Sequence, residues 1–352
     1  MVAILALAVH VGTSDVDLFW REWARGESPE KLQAAYYQKA SPRWKEFLDL
    51  AGHPQYFVGA LKLYPKFYAS IQGATRRAAA QAPAIEEALE DLSRRYGAPP
   101  PPLTIGIGRA AMGGIGRPRG AYVPAEFYTK DNASDTSELS PWQATGLVPP
   151  EGIVAAAVHE AVHTYQVESS EPSLLVTCLR EGAADFIAQM ITGQHTQPTR
   201  VAWCNQRRKQ LFREFSRGPR TGWIYDADSP RPAGRPSDIG YWIGYEIVRD
   251  FYSRARDKQT ALADVVEMRD PRTLVMKSRY SYLVRPSKPA RRNRITAASV
   301  GVGAAAAVAA HPAAAVAVAV AATRTAGSPA ALEPGPSPQP PADGASRSPR
   351  PK

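Results

Sequence analysis

The stretch AAAVHEAVHTYQ (155–166) holds His159, Glu160 and His163, so two of the six histidines in 352 residues stand four apart with a carboxylate beside the first. On a helix, positions i and i+4 point the same way, so both imidazoles face one point and can share a metal ion. Glu160 lies about 100° round the helix, close enough to reach a metal-bound water but not the metal. That is the HExxH arrangement, with the glutamate as general base. Neutral imidazoles and a carboxylate suit Zn²⁺. The competing reading is two histidines on an ordinary helix, buried or solvated.

A hydrolytic zinc needs a third protein ligand and one open position. No histidine occurs between 164 and 194, which excludes the longer three-histidine pattern. Glu181 in CLREGAADFIAQM is the candidate, 18 residues after His163. A turn at VESSEP (167–172) would let a second helix run back beside the first and bring Glu181 to the histidine pair. Gly182 beside it permits close approach of backbone or substrate. Asp185, one turn on, is placed to accept the other ring N–H of a ligand histidine and fix its tautomer. The plainer reading of Glu181 is a solvated helix carboxylate near Arg180.

HExxH followed by E-x-x-x-D on a second helix resembles the gluzincins, which bind zinc through two His and one Glu. More narrowly, the chain is similar to a bacterial family of predicted zinc-dependent proteases, and loosely to a gliding-motility lipoprotein family. TSDVDLFW (13–20), IGIGRAAMGGIG (105–116), SELSPW (137–142), EGAADFIA and DIGYWIGYEIVRDFY (238–252) follow the order of that family, over roughly residues 12–285. The resemblance implies His159, His163 and Glu181 as zinc ligands and Glu160 as base. It also implies a zincin-like fold, α+β and mostly helical, with a small sheet beside the HExxH helix. A zinc hydrolase of this kind needs a donor for the developing oxyanion. Tyr241 and Tyr245 in GYWIGYE share a helix face and are the candidates, with His195 and Tyr165 behind them; the plainer reading makes both core aromatics. By analogy with zincins, IGIGR or GAYVPAEFY is the edge strand that would hold a peptide by strand addition.

The elements that must position these groups follow from pattern. Residues 15–98 read as helices, with SPEKLQAAYYQ opening on Ser, Pro and Glu. LTIGIGR (103–109) and AYVPAEFY read as strands, within a region of strands and loops over 103–150. GGIGRPRG lacks the Gly-Lys-Ser/Thr ending of a phosphate loop and fits a Gly-dependent hairpin. Helices are expected at about 151–168, 173–192, 199–217 and 238–257, so the metallopeptidase domain spans 13–285. Residues 1–12 read as a signal remnant or a first strand, and they leave both a periplasmic or secreted and a cytoplasmic location open.

The net charge of +10 is unevenly spread: from Pro286 onward there are eight Lys/Arg against two acidic residues, leaving the body only mildly basic. With no RNA-binding motif and two cysteines, Cys178 and Cys204, a nucleic-acid role is not expected. The stretch 286–352 is Ala/Pro-rich and basic and is expected to be disordered. Its uncharged run 299–322 is long enough to span a membrane, but its Ala, Gly, His and Pro content disfavours insertion. The functional expectation is a zinc metallopeptidase acting on a peptide or protein. The alternative is a non-catalytic, zinc-stabilised binding or cell-envelope protein on the same scaffold.

Overall fold

The computed structural model describes residues 9–169, 173–218, 221–225 and 231–284. The signal-remnant reading, the basic tail and the run 299–322 therefore fall mostly or wholly outside the described residues.

Seven helices open the chain: α1 Ser14–Trp23, α2 Pro29–Lys39, α3 Pro42–Leu50, α4 Pro54–Leu63, α5 Pro65–Ser70, α6 Gln72–Ala79 and α7 Ala82–Tyr96. Five of the starts carry Pro in the first turn, where its missing N–H costs nothing. Ser28 and Ser41 cap α2 and α3 by accepting from Lys31 N and Trp44 N. α7 stops at Gly97, which takes φ +86, a conformation that most L-residues avoid. These helices bury Phe19, Trp20, Tyr36, Trp44, Phe67 and Tyr68 against one another, each worth about 1.5–3 kcal/mol or more of transfer free energy.

The sheet follows from β1 Val11–Gly12, β2 Leu103–Gly106, β3 Ile115–Arg117 and β4 Gly120–Pro124, in the order β1-β2-β4-β3. β1, β2 and β4 run parallel, and β3 is the antiparallel edge. β3 and β4 form the expected hairpin, with Arg117 opposite Gly120. The edge assignment corrects the analogy drawn above. IGIGR and GAYVPAEFY supply the interior strands β2 and β4, and the edge on the side of the HExxH helix is β3, from the glycine-rich stretch between them. Sequence alternation marks strands but not their lateral order.

The rest is helical: α8 Pro141–Gly146, α9 Ile153–Tyr165, α10 Leu174–Thr192, α11 Pro198–Asn205, α12 Arg208–Arg217, α13 Gly240–Arg254, α14 Lys258–Glu267 and α15 Pro271–Lys277. The expected helix at 199–217 is two, broken at Gln206 and Arg207. α9 lies against β3 and β4 on one side and α10 on the other, and α13 packs on α10. Being covered on both sides explains why IVAAAVHEAVHTY is apolar nearly all round. α10 and α13 meet at backbone distance: a Cβ on Gly182 would stand 2.0 Å from Tyr245 N, and one on Gly244 would stand 1.7 Å from the Cys178 carbonyl oxygen. Gly182 thus serves the approach of a helix. The chain is mostly helical with a small sheet, as expected for α+β. Cys178 and Cys204 are buried and unpaired. No helix among the described residues is long and apolar enough to cross a membrane.

Candidate metal centre

His159 and His163 lie one turn apart on α9, and Glu181 faces them from α10. The two Nε2 atoms are 3.0 Å apart, and Glu181 Oε2 is 3.2 Å from the first and 3.3 Å from the second. These atoms form a near-equilateral triangle. Three donors bound tetrahedrally at about 2.0–2.2 Å from one zinc stand about 3.3 Å apart, so the triangle is the right size for a small cation. The trio could hold a metal ion.

The surrounding groups fix which atoms face the centre. Asp185 Oδ1 lies 2.9 Å from His159 Nδ1 and accepts 2.6 Å from the Thr196 hydroxyl. A carboxylate can only accept, so His159 carries its proton on Nδ1 and turns Nε2 inward. His163 Nδ1 lies 2.9 Å from Gln166 Oε1, whose amide nitrogen donates 2.9 Å to the Arg180 carbonyl. That second bond sets the Gln166 amide so its oxygen meets the imidazole N–H. Gln166 stands in the quoted HEAVHTYQ stretch, but no spacing rule assigns it this role.

The charges fit a cation as well. Glu160, Glu181 and Asp185 are all buried, at 8%, 8% and 6% exposure. Three carboxylates beside two neutral imidazoles, with only the Arg200 guanidinium near Asp185 to offset them, leave an excess of negative charge where burying charge is costly, and a dication offsets it. Without metal, protons take that part. Burial opposes a charged His159, but its bonds to Asp185 and Glu181 outweigh this and raise its pKa well above the ordinary range. His163 moves up too, burial again being overcome by the Glu181 charge. Burial would raise Glu181, yet His163 and His159 hold it well below the usual carboxylate range.

Glu160 stands outside the triangle. Its carboxylate fills the space a side chain at 114 would take: a Cβ on Gly114 would lie 2.4 Å from Glu160 Oε1. A Cβ on Gly116 would lie 2.1 Å from the Glu160 carbonyl oxygen. The glycines of MGGIGRPRG therefore seat edge strand β3 on α9. Burial pushes the Glu160 pKa up while His159 and His163 pull it down, with a net rise; a cation at the trio would oppose that rise.

The aromatic candidates separate. The Tyr241 ring lies parallel to His159 with centroids 6.1 Å apart, and the Arg200 guanidinium sits 4.6 Å from its centroid. Arg200 also lies 3.8 Å from Asp185 Oδ2. Tyr245 is not at the centre: its hydroxyl donates to Gln189, two turns beyond Glu181, and its ring meets His195 at 5.2 Å. His195 goes with it. Tyr165 points elsewhere too, donating to the Pro99 carbonyl at 2.7 Å. The phenol that does reach the ligands is Tyr225, whose hydroxyl donates to Glu181 Oε1 at 2.5 Å. It lies in a Pro/Gly-rich loop without periodicity and takes a positive φ of 52°.

No family model, curated protein or solved structure matches the chain.

Proposed function

We propose that the protein is a zinc-dependent hydrolase, a gluzincin-like metallopeptidase cleaving peptide bonds. The observation that carries this reading is the buried triangle of His159, His163 and Glu181 with the Glu160 carboxylate held beside it but outside it. A purely structural zinc has no use for a base at that position, and structural sites close all four positions with protein ligands. Zn²⁺ at this centre would supply Lewis acidity, lowering the pKa of water and polarising a carbonyl.

The chain's own residues do the rest. Asp185 and Gln166 hold the two imidazoles with Nε2 inward. Glu160 takes a proton from the attacking water and delivers it to the leaving amine, a role worth about 10²–10⁴ in rate. Tyr241, whose ring lies against His159, and Tyr225, whose hydroxyl bonds Glu181, are the candidates to donate to a developing oxyanion. For Tyr225 this requires exchanging its bond to Glu181 for one to the substrate. Among the described residues strand β3 is the edge of the sheet beside α9, the place where an extended peptide would add a strand.

The test uses purified wild type and Glu160→Gln, with bound zinc measured and both assayed on a mixed peptide library. Equal zinc with cleavage lost only in the variant supports the peptidase. Equal zinc with no cleavage by either protein favours the non-catalytic binding role.

A further inference from the structure

The segment between β2 and β3 is irregular, yet it is pinned along its length by groups from five different places in the chain. Ile107 N donates to the Tyr36 hydroxyl at 3.0 Å, and the Tyr68 hydroxyl donates to the Gly108 carbonyl at 2.8 Å. Glu126 accepts from Gly108 N and Ala110 N, and Gln143 Nε2 donates to the Ala110 carbonyl at 2.8 Å. Further on, the Tyr128 hydroxyl donates 2.8 Å to the Gly113 carbonyl. Between these anchors Ala110 is held at φ +53. Residues with a Cβ avoid that conformation, and it persists only where the surroundings impose it.

The segment ends on Glu160. The three atoms nearest to a Cβ on Gly114 are all of the Glu160 side chain, Oε1 at 2.4 Å and Cδ and Cγ at 2.6 Å. Among the described residues no side chain hydrogen-bonds the Glu160 carboxylate. It meets the backbone of Gly114 and Gly116 instead. Backbone contact therefore places the carboxylate, and the bonds above place that backbone. Tyr128 is the last anchor, one residue from Gly114. It is buried, and burial together with the nearby Glu160 charge pushes its pKa well above the ordinary range, so the hydroxyl keeps the proton it donates.

We propose that this pinned segment sets where the Glu160 carboxylate stands beside the metal triangle, and that Tyr128 is a positioning residue acting through Gly113. Its consequence rests on the zinc-hydrolase reading, in which Glu160 takes and delivers a proton. A general base must stand within hydrogen-bond reach of the proton it takes, and a misplacement on the order of 1 Å costs about 10²-fold in rate. The imidazoles have other supports, Asp185 and Gln166, so the segment moves the base and not the ligands. Gly113 and Gly114 make the distinction sharp. Neither takes the left-handed backbone that favours glycine, so alanine fits the chain at both. A Cβ at 114 meets Glu160, whereas one at 113 meets the Tyr128 hydroxyl at an ordinary 3.7 Å.

The experiment compares full-length wild type, Gly114→Ala, Gly113→Ala, Tyr128→Phe and Glu160→Gln. Metal content is measured, kcat and KM are read on a peptide that wild type cleaves from a mixed library, and the visible bands of the cobalt-substituted proteins are recorded. Gly114→Ala should keep wild-type metal content and KM, lose about 10²-fold in kcat, and shift the cobalt bands as Glu160→Gln does. Gly113→Ala should lose much less. Tyr128→Phe keeps its ring in the core and should lose about tenfold in kcat with KM and metal content unchanged; this variant carries the test if Gly114→Ala does not fold. Wild-type kcat and cobalt bands in Gly114→Ala, equal losses at 113 and 114, or an unchanged kcat in Tyr128→Phe would overturn the proposal. Absence of cleavage by wild type would count against the peptidase reading and leave the cobalt bands to decide the placement of Glu160. Absence of metal uptake by wild type would overturn both.

Discussion

Glu126 and Glu181 are both buried carboxylates, and their partners divide them. Glu126 accepts from two backbone amides, Gly108 N at 2.9 Å and Ala110 N at 3.0 Å, and so ties the loop after β2 to the end of β4. Glu181 meets two imidazoles and a phenol. Amides that already have a carboxylate leave nothing for a cation, whereas two inward Nε2 atoms and an Oε2 about 3 Å apart do. Glu246 shows a third solution, paired with Arg208 and Arg249 on its own side of the core. Burial alone therefore does not mark a candidate metal ligand in this molecule; the chemistry of its neighbours does.

The sharpest way to break this comparison is to truncate each acid. Glu181→Ala removes one of three ligands and should weaken zinc binding by more than the roughly 10–100-fold that loss of an outer partner costs. Glu126→Ala should bind zinc like wild type but unfold at lower denaturant concentration. A competition titration with a chromophoric chelator, beside a denaturant curve, reads both.

Glu126 should also impose a pH dependence of its own. Burial raises its pKa from 4.5 to about 7, against the lowering effect of its two N–H donors. The folded state therefore holds a proton that the unfolded chain releases, and stability should fall as pH rises from about 4.5 to about 7. At roughly 1.4 kcal/mol per unit the shift amounts to about 3 kcal/mol. Denaturant midpoints across that window should lose this component in Glu126→Gln. A midpoint profile identical to wild type would mean Glu126 ionises as an ordinary surface acid does.

Smaller effects test the groups around Glu181. Asp185→Asn turns the acceptor for His159 Nδ1–H into a group that can present its NH₂ instead. Zinc affinity should drop about 10–100-fold with the fold intact. Tyr225→Phe should slow peptide cleavage by roughly tenfold or more, while Tyr245→Phe, which loses contacts to Gln189 and Arg249 away from the ligands, should stay within a few-fold of wild type. Equal losses in the two variants would remove the distinction drawn between them.

What was legible in the sequence follows from locality. His159, Glu160 and His163 are set by one helix turn, and Glu181 by a single reversal between two helices, so spacing alone brings them together. The helices of 15–98 carry their own signals in Ser-Pro starts and apolar stripes. Asp185 follows from Glu181 by the same periodicity. Tyr245 shows where that rule fails. It shares a helix face with Tyr241, but α13 crosses α10 at backbone contact through Gly182 and Gly244, and the Tyr245 side chain meets α10 at Gln189 instead of the metal centre. Tyr225 comes from a loop with no period to read, 44 residues from its partner in the chain. The order of the strands depends on pairing across the sheet. β1 has only two residues, Val11 and Gly12, too few to carry an alternation signal.

The central claim is that His159, His163 and Glu181 hold one catalytic zinc. Elemental analysis of the full chain, purified without a metal-binding tag and dialysed against trace zinc, tests it most directly. The account predicts one zinc per chain. Metal well below one per chain, with no uptake when zinc is supplied, would contradict it.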